Sequence, residues 1–177
     1  MKIEEIHFLF LFIDGLGLGE NNPESNPLVK ARMPNMDTLL GGRKLVIESA
    51  GTANEPFITD DATLWAIDCT MGVKGYPQSA TGQASILTGV NISLLLGYHF
   101  GPKPNPEIKT YLNEETIFHV LVGKGFSATL LNGYPQSYFT LIKTGRRLPG
   151  SIPMAVQLAG LPLKNTIDMR KGRALSA

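Results

Sequence analysis

The stretch IHFLFLFIDG, residues 6–15, decides the fold that we predict for this chain. Residues 6–13 are almost continuously apolar and rich in aromatic and β-branched side chains. This pattern is typical of a strand that is buried on both faces, which is the central kind in an α/β sheet. Asp14 and Gly15 end the run, so we expect a carboxylate at the carboxyl end of a central strand.

Strand-like and helix-like segments alternate along the rest of the chain. Strands are predicted at 44–48, 62–68 and 127–131, and helices at 36–40, 82–87, 116–122 and 153–159. This alternation predicts an α/β fold with a mostly parallel, doubly wound sheet flanked by helices. Ligands of such sheets bind beyond the carboxyl ends of the strands, where Asp14 is expected.

The composition is that of an ordinary globular protein. The 177 residues are 43% hydrophobic and 18% charged, with a formal net charge of +1, and we expect one domain over residues 1–177. The near-neutral net charge gives no indication that the protein binds nucleic acid or an anionic membrane. No window approaches the ~20 apolar residues of a membrane span. Cys69 is the single cysteine, so a soluble, cytoplasmic protein is expected.

The glycine-rich segment 13–19 admits more than one interpretation. A dinucleotide-binding turn requires a helix that starts within the glycines, but residues 20–23 are Glu-Asn-Asn-Pro. The Asp14 carboxylate instead suits a divalent cation, and Gly15 would let the chain turn away from it. The alternative is an aspartate that only caps a turn.

Residues 77–85, PQSATGQAS, form a second candidate site. A loop of small residues ends at the Thr81 hydroxyl, and a helix is predicted directly behind it. The free amides of a helix start bind phosphate or sulfate, and a metal-bound hydroxyl there is activated for attack. The alternative is that Ser79 or Thr81 is only a helix N-cap.

Several motifs give the chain a resemblance to a known group of enzymes. The motifs are FIDG at 12–15, NP at 26–27, MPNMDTL at 33–39, GYPQSATGQ at 75–83, TG at 88–89, HFGP at 99–102 and KGRALSA at 171–177. Together they resemble the N-terminal portion of alkaline phosphatase superfamily metalloenzymes. Cofactor-independent phosphoglycerate mutase and phosphopentomutase are the members to which the chain is most similar.

The resemblance implies a set of roles for individual residues. It makes Asp14 a ligand of one of two divalent metal ions, manganese or zinc. It makes Thr81 both a metal contact and the nucleophile that forms a phospho-threonine, with the amides of Gly82 and Gln83 holding the substrate oxygens. The implied activity is that of a hydrolase or phosphomutase acting on small-molecule phosphate or sulfate esters. No segment clearly encodes the cap domain of the mutases, which favours hydrolysis.

The family pattern also includes Asp and His clusters that this sequence lacks, because no histidine follows His119 and the only later aspartate is Asp168. His119 is expected to pack or cap a helix, whereas His99 is the histidine to test for a role. We therefore expect a truncated N-terminal half, with at most one weakly held metal ion and low or no activity. The alternative is a non-catalytic anion-binding or interaction module, with self-association through exposed sheet edges.

Overall fold

Helices make up most of the regular structure in residues 7–52 and 54–176, the part of the chain that this computed structural model describes. The protein is mixed α/β, with a small parallel three-stranded sheet, which confirms the predicted class. The doubly wound arrangement stays a prediction. The chain divides into two compact units, residues 1–68 and 69–177, which are described separately. The single domain over 1–177 also stays a prediction.

The regular elements of the first unit are all short in its described residues, 7–52 and 54–68. They are helix α1 (Pro27–Lys30), helix α2 (Pro34–Leu39), a 3₁₀ turn (Ile47–Ser49), and strands β1 (Phe57–Ile58) and β2 (Thr63–Leu64). Both α-helices begin at a proline, whose missing N–H is no loss at that position. The strands pair antiparallel, with Phe57 opposite Leu64. The unit therefore consists of helical turns and one hairpin.

The predicted central strand at the start of the chain is not observed. Residue 6 lies outside the described residues, and residues 7–13 have no regular secondary structure. The apolar side chains are exposed, with Phe8 at 80% and Leu11 at 74%. A strand requires a neighbour that accepts its hydrogen bonds, and no described strand pairs with this segment. The apolar pattern predicted a buried strand, and the structure shows neither the strand nor the burial in residues 7–13.

The other strand predictions also need correction. Residues 44–48 lead into the 3₁₀ turn, and within 62–68 only Thr63–Leu64 forms a strand. The strand predicted at 127–131 lies instead at Asn132–Tyr134. The β-propensity of a sequence indicates an extended segment. Which residues of that segment form the strand depends on the position of the partner strand.

The second unit contains the longer helices and the parallel sheet. Its elements are α3 (Ser79–Thr88), α4 (Ile92–Leu96), α5 (Pro106–Glu114), α6 (Ile117–Gly123), β3 (Asn132–Tyr134), α7 (Gln136–Lys143), α8 (Ser151–Leu158), β4 (Lys164–Asn165), α9 (Thr166–Arg170) and β5 (Leu175–Ser176). None of the helices in the described ranges combines the length and apolar character needed to cross a membrane.

The predicted helices are all present, at α2, α3, α6 and α8. The N-cap of α6 is Thr116, and Asn113 lies inside α5. The backbone N–H of Thr116 donates to His119 Nδ1 at 3.2 Å. This bond confirms that His119 caps a helix.

The core of the second unit forms where α3 packs against α4, α5 and α8. Ala80, Ala84 and Ala155 are fully buried there, and such small side chains let the helix axes approach closely. Ile108 and Leu112 of α5 are also fully buried and fill the space between the helices. Helix α3 is thus enclosed on several sides by apolar packing.

The parallel sheet lies in the second unit in the order β4-β3-β5. Gly133 of the central strand pairs with Lys164 on one side and Ser176 on the other. A Cβ at Gly133 would come within 2.7 Å of Met169 Cγ, so a side chain there would push α9 away from the sheet. The glycine lets α9 pack directly on β3.

Truncation of a core side chain tests this packing. We expect Leu112→Ala to lower the free energy of unfolding by about 2–5 kcal/mol, because it leaves a cavity against α3. The matched control is Leu94→Ala, since Leu94 is 58% exposed and should change stability little. Urea unfolding followed by circular dichroism measures both, and equal effects would contradict the assigned core.

The capping box of α9 gives a pH prediction. Asp168 accepts from Arg173 at 2.8 Å and from the Asn165 amide at 3.1 Å, and these hydrogen bonds lower the pKa of Asp168. Stabilisation by a lowered pKa is present above the unfolded-state value and is lost as the pH falls through the folded-state value. We therefore expect Asp168→Asn to reduce the melting temperature near neutral pH. The difference should shrink below about pH 4, and a pH-independent difference would count against it.

Candidate functional site at the start of helix α3

Helix α3 begins earlier than the sequence indicated. Gln78 is the N-cap with an extended backbone, and Ser79 is the first helical residue. Thr81 therefore lies within the first turn and not ahead of the helix. The Gly82 amide donates to the Gln78 carbonyl at 3.0 Å, so it takes part in the helix.

Thr81 is tied to the loop at residues 99–102 through the backbone of Phe100. The Thr81 amide donates to the Phe100 carbonyl at 3.1 Å, and the Phe100 amide donates to Thr81 Oγ1 at 3.2 Å. The hydroxyl also lies 3.2 Å from the Gln78 carbonyl, to which it can donate. The residue is fully buried. In this arrangement the hydroxyl holds two segments together and does not face solvent.

An open cavity of about 420 Å³ lies beside the contact between Thr81 and Phe100. Lys74, Gly75, Tyr76 and Gln78 line one part, and residues 98–101 line the other. The structure thus brings the segments 75–83 and 99–102, which are far apart in the sequence, to the same place.

His99 lines the cavity with a fixed ring. Its Nε2 lies 3.2 Å from the Val73 carbonyl, to which it can only donate, and its Nδ1 lies 3.3 Å from Ser93 Oγ. With Nε2 protonated, the fully buried Ser93 hydroxyl donates to Nδ1. Both ring nitrogens are therefore engaged by protein atoms, which positions the ring as part of the cavity wall.

Gly101 lets the loop approach the start of α3. A Cβ at this position would lie 3.1 Å from both Gln78 Cβ and the Ser79 amide nitrogen. Nearby, the Tyr98 hydroxyl donates to Glu107 at 2.6 Å, and this hydrogen bond raises the pKa of Tyr98. Tyr98 therefore stays a protonated phenol at the cavity edge.

Asp14 belongs to the first unit, so its predicted pairing with Thr81 of the second unit stays a prediction. It is exposed in a turn in which the Leu16 amide donates to the Ile13 carbonyl at 3.3 Å. Gly15 has φ of 77°, a conformation that favours glycine, as the turn requires.

A metal site requires several ligating side chains close together. Within residues 7–52 and 54–176, His, Cys, Asp and Glu side chains do not gather in groups of three or more. Divalent cations such as Mg²⁺ or Mn²⁺ take about six oxygen or nitrogen ligands, of which a protein supplies several. Asp14 and Thr81 together would supply only two of these ligands.

The sequence did not single out Gln78, Tyr98 or Ser93, which shape the cavity. The position of Gln78 directly before a run of small residues was a usable signal for a helix start. Tyr98 and Ser93 take their roles from side-chain contacts with Glu107 and His99, for which the sequence shows no regular spacing.

Comparison with known proteins gives no further guide to the site. No family model matches the sequence, and neither a curated protein nor a solved structure matches it significantly.

The hydrogen bonds between Thr81 and Phe100 predict that two substitutions of Thr81 differ in their effect on stability. Thr81→Val removes the acceptor of the Phe100 amide, and an unpaired buried amide should cost about 1–3 kcal/mol of unfolding free energy. Thr81→Ser keeps the hydroxyl and should cost less. Chemical unfolding of the three proteins measures this, and equal losses for Val and Ser would contradict a structural role of the hydroxyl.

Proposed function

We propose that this chain contributes the substrate face of a phosphate- or sulfate-ester hydrolase or phosphomutase of the alkaline phosphatase type. In this proposal the cavity beside α3 receives the ester, and Thr81 accepts the phosphoryl group as a phospho-threonine. The proposal includes the doubly wound fold of that superfamily and its dependence on divalent manganese or zinc.

One observation carries the proposal. The segments 75–83 and 99–102, both of which resemble that superfamily, meet at the start of α3 and line one open cavity. Thr81, the residue that the resemblance marks as the nucleophile, lies at this meeting point. The start of a ten-residue helix also supplies the partial positive charge that favours an anionic group.

The burial of Thr81 adds a requirement to the chemistry. Its hydroxyl has to exchange the Phe100 amide for the substrate before it can attack. The loop at 99–102 therefore moves away from α3 during the proposed reaction. The attacking oxygen forms a bond to phosphorus as the ester oxygen leaves, and the proton of the Thr81 hydroxyl passes through water to the departing ester oxygen.

Metal dependence is part of the proposal and is tested with it. Asp14 would supply a carboxylate ligand and Thr81 its hydroxyl, and other groups would have to supply the remaining ligands of the metal ion. A bound metal would lower the pKa of the attacking hydroxyl and neutralise the ester oxygens.

A non-catalytic anion-binding module is the second candidate. The observation that favours it is that Thr81 is fully buried and bonded to the backbone of Phe100. In such a module, the start of α3 would bind an anion without any bond to Thr81. The two candidates differ in whether a covalent phosphoryl-protein forms.

Single-turnover phosphorylation separates the two candidates. The full chain is incubated with an aryl phosphate and either manganese or zinc chloride, and intact mass spectrometry detects a bound phosphoryl group. We expect slow incorporation on the peptide that contains Thr81, with little steady-state turnover. Incorporation should disappear in Thr81→Val.

Thr88→Val is the matched control, because Thr88 lies at the other end of the same helix. Its hydroxyl donates to the Ala84 carbonyl at 2.8 Å and accepts from the Val90 amide at 3.2 Å. Phosphate binding without incorporation would favour the module. Incorporation that persists in Thr81→Val would refute the assigned nucleophile, and neither binding nor incorporation would refute both candidates.

A further inference from the structure

A second group of polar side chains surrounds Gly150, which lies between α7 and α8. A Cβ placed on Gly150 would lie 3.8 Å from Lys103 Nζ and 3.9 Å from Gln83 Oε1. Arg147 is close enough for its charge to act on Lys103 and on the hydroxyls of Tyr134 and Tyr138. We call Lys103, Arg147, Tyr134 and Tyr138 the Gly150 cluster.

The Gly150 cluster contains two cations, and the charge of Arg147 acts on Lys103. The ion pairs among the described residues join Lys30 to Glu24, Lys44 to Asp37 and Arg173 to Asp168. Neither Lys103 nor Arg147 takes part in one. Partial burial lowers the pKa of Lys103, and the charge of Arg147 lowers it further. The lowered pKa means that the charged form of Lys103 is disfavoured in this position. An anion bound to both cations would stabilise it.

The tyrosines add an independent indication of a ligand. Tyr138 is only 5% exposed, yet its hydroxyl oxygen is buried with no hydrogen-bond partner. Its ring stacks on Tyr134 at 4.3 Å between centroids, and the Arg147 guanidinium carbon lies 5.0 Å from the Tyr138 ring centroid. Buried hydroxyls are almost always paired in native proteins. Burial raises the pKa of Tyr134 to about 12, so this phenol stays a donor.

The backbone beside the cluster also suits an anion. Gly150 is the N-cap of the eight-residue helix α8 and offers no side chain to cap its first amides. The helix start is fixed in place because the fully buried Ser151 hydroxyl donates to the Ala80 carbonyl at 3.0 Å. The partial positive charge of α8 thus adds to the two side-chain charges.

We propose that the Gly150 cluster binds a small phosphate dianion, either inorganic phosphate or the phosphate group of a monoester. Arg147 and Lys103 supply the charge-assisted hydrogen bonds, and the tyrosine hydroxyls supply neutral donors. The site is separate from the cavity beside Thr81, because Gln83 and Thr81 are two residues apart and point about 200° apart around α3. The inference therefore goes beyond the proposed function and does not depend on it.

Calorimetric titration of the full chain with inorganic phosphate tests the inference. We expect Lys103→Gln and Arg147→Gln each to weaken phosphate binding by about tenfold or more, as the loss of a charged hydrogen bond requires. Arg147→Lys keeps the positive charge but lacks the planar guanidinium group with its paired donors. Its phosphate affinity should lie between those of the wild type and Arg147→Gln. Arg146→Gln is the matched control, since it removes the same charge from the adjacent position, and should change affinity less than about twofold.

Thermal unfolding without phosphate confirms that each variant is folded before it is titrated. Phenyl phosphate in place of inorganic phosphate shows which of the two sources binds more tightly. Undetectable binding of both, or equal weakening by Arg146→Gln and Arg147→Gln, would overturn the inference. Phosphate binding that Lys103→Gln and Arg147→Gln weaken is binding at the Gly150 cluster. A failure of Thr81 phosphorylation with this binding intact would therefore count only against the proposed function.

Discussion

The paired hydrogen bonds between Thr81 and Phe100 are the constraint on which the second unit depends. They join the first turn of α3 to a loop that lies nineteen residues further along the chain. Because α3 also contacts α4, α5 and α8, whatever fixes its first turn fixes the position of the others. The cavity beside α3 exists because this loop is held against the helix, and its shape follows from the same bonds.

The helices of this protein were more predictable than its strands, and the reason is physical. A helix closes its hydrogen bonds within one segment, so the local patterns of α3, α6 and α8 were sufficient. A strand depends on a partner that is distant in sequence. Residues 7–13 have an ideal pattern for a central strand but pair with no described strand, whereas β3 formed just beyond the segment 127–131 that propensity favoured.

The candidate site was predictable only in part for the same reason. The sequence could place a hydroxyl, Thr81, at the start of a helix, because small residues and a helical pattern are local signals. It could not show that Phe100 would bury this hydroxyl. The Gly150 cluster was beyond prediction, since Lys103 lies just before α5 and Arg147 just before α8. These two helices contact each other only in the folded unit, and the two residues share no motif.

The exposed apolar segment at 8–13 has a consequence for how the protein behaves in solution. Six successive aliphatic and aromatic residues without a charge or a proline are the type of sequence that nucleates cross-β aggregates. With Phe8 and Leu11 more than two-thirds exposed, the segment is also suited to capture by chaperones that bind extended apolar peptides. We therefore expect the yield of this chain in a cell to depend on chaperone capture, proteolysis and precipitation as well as on the stability of its folded units.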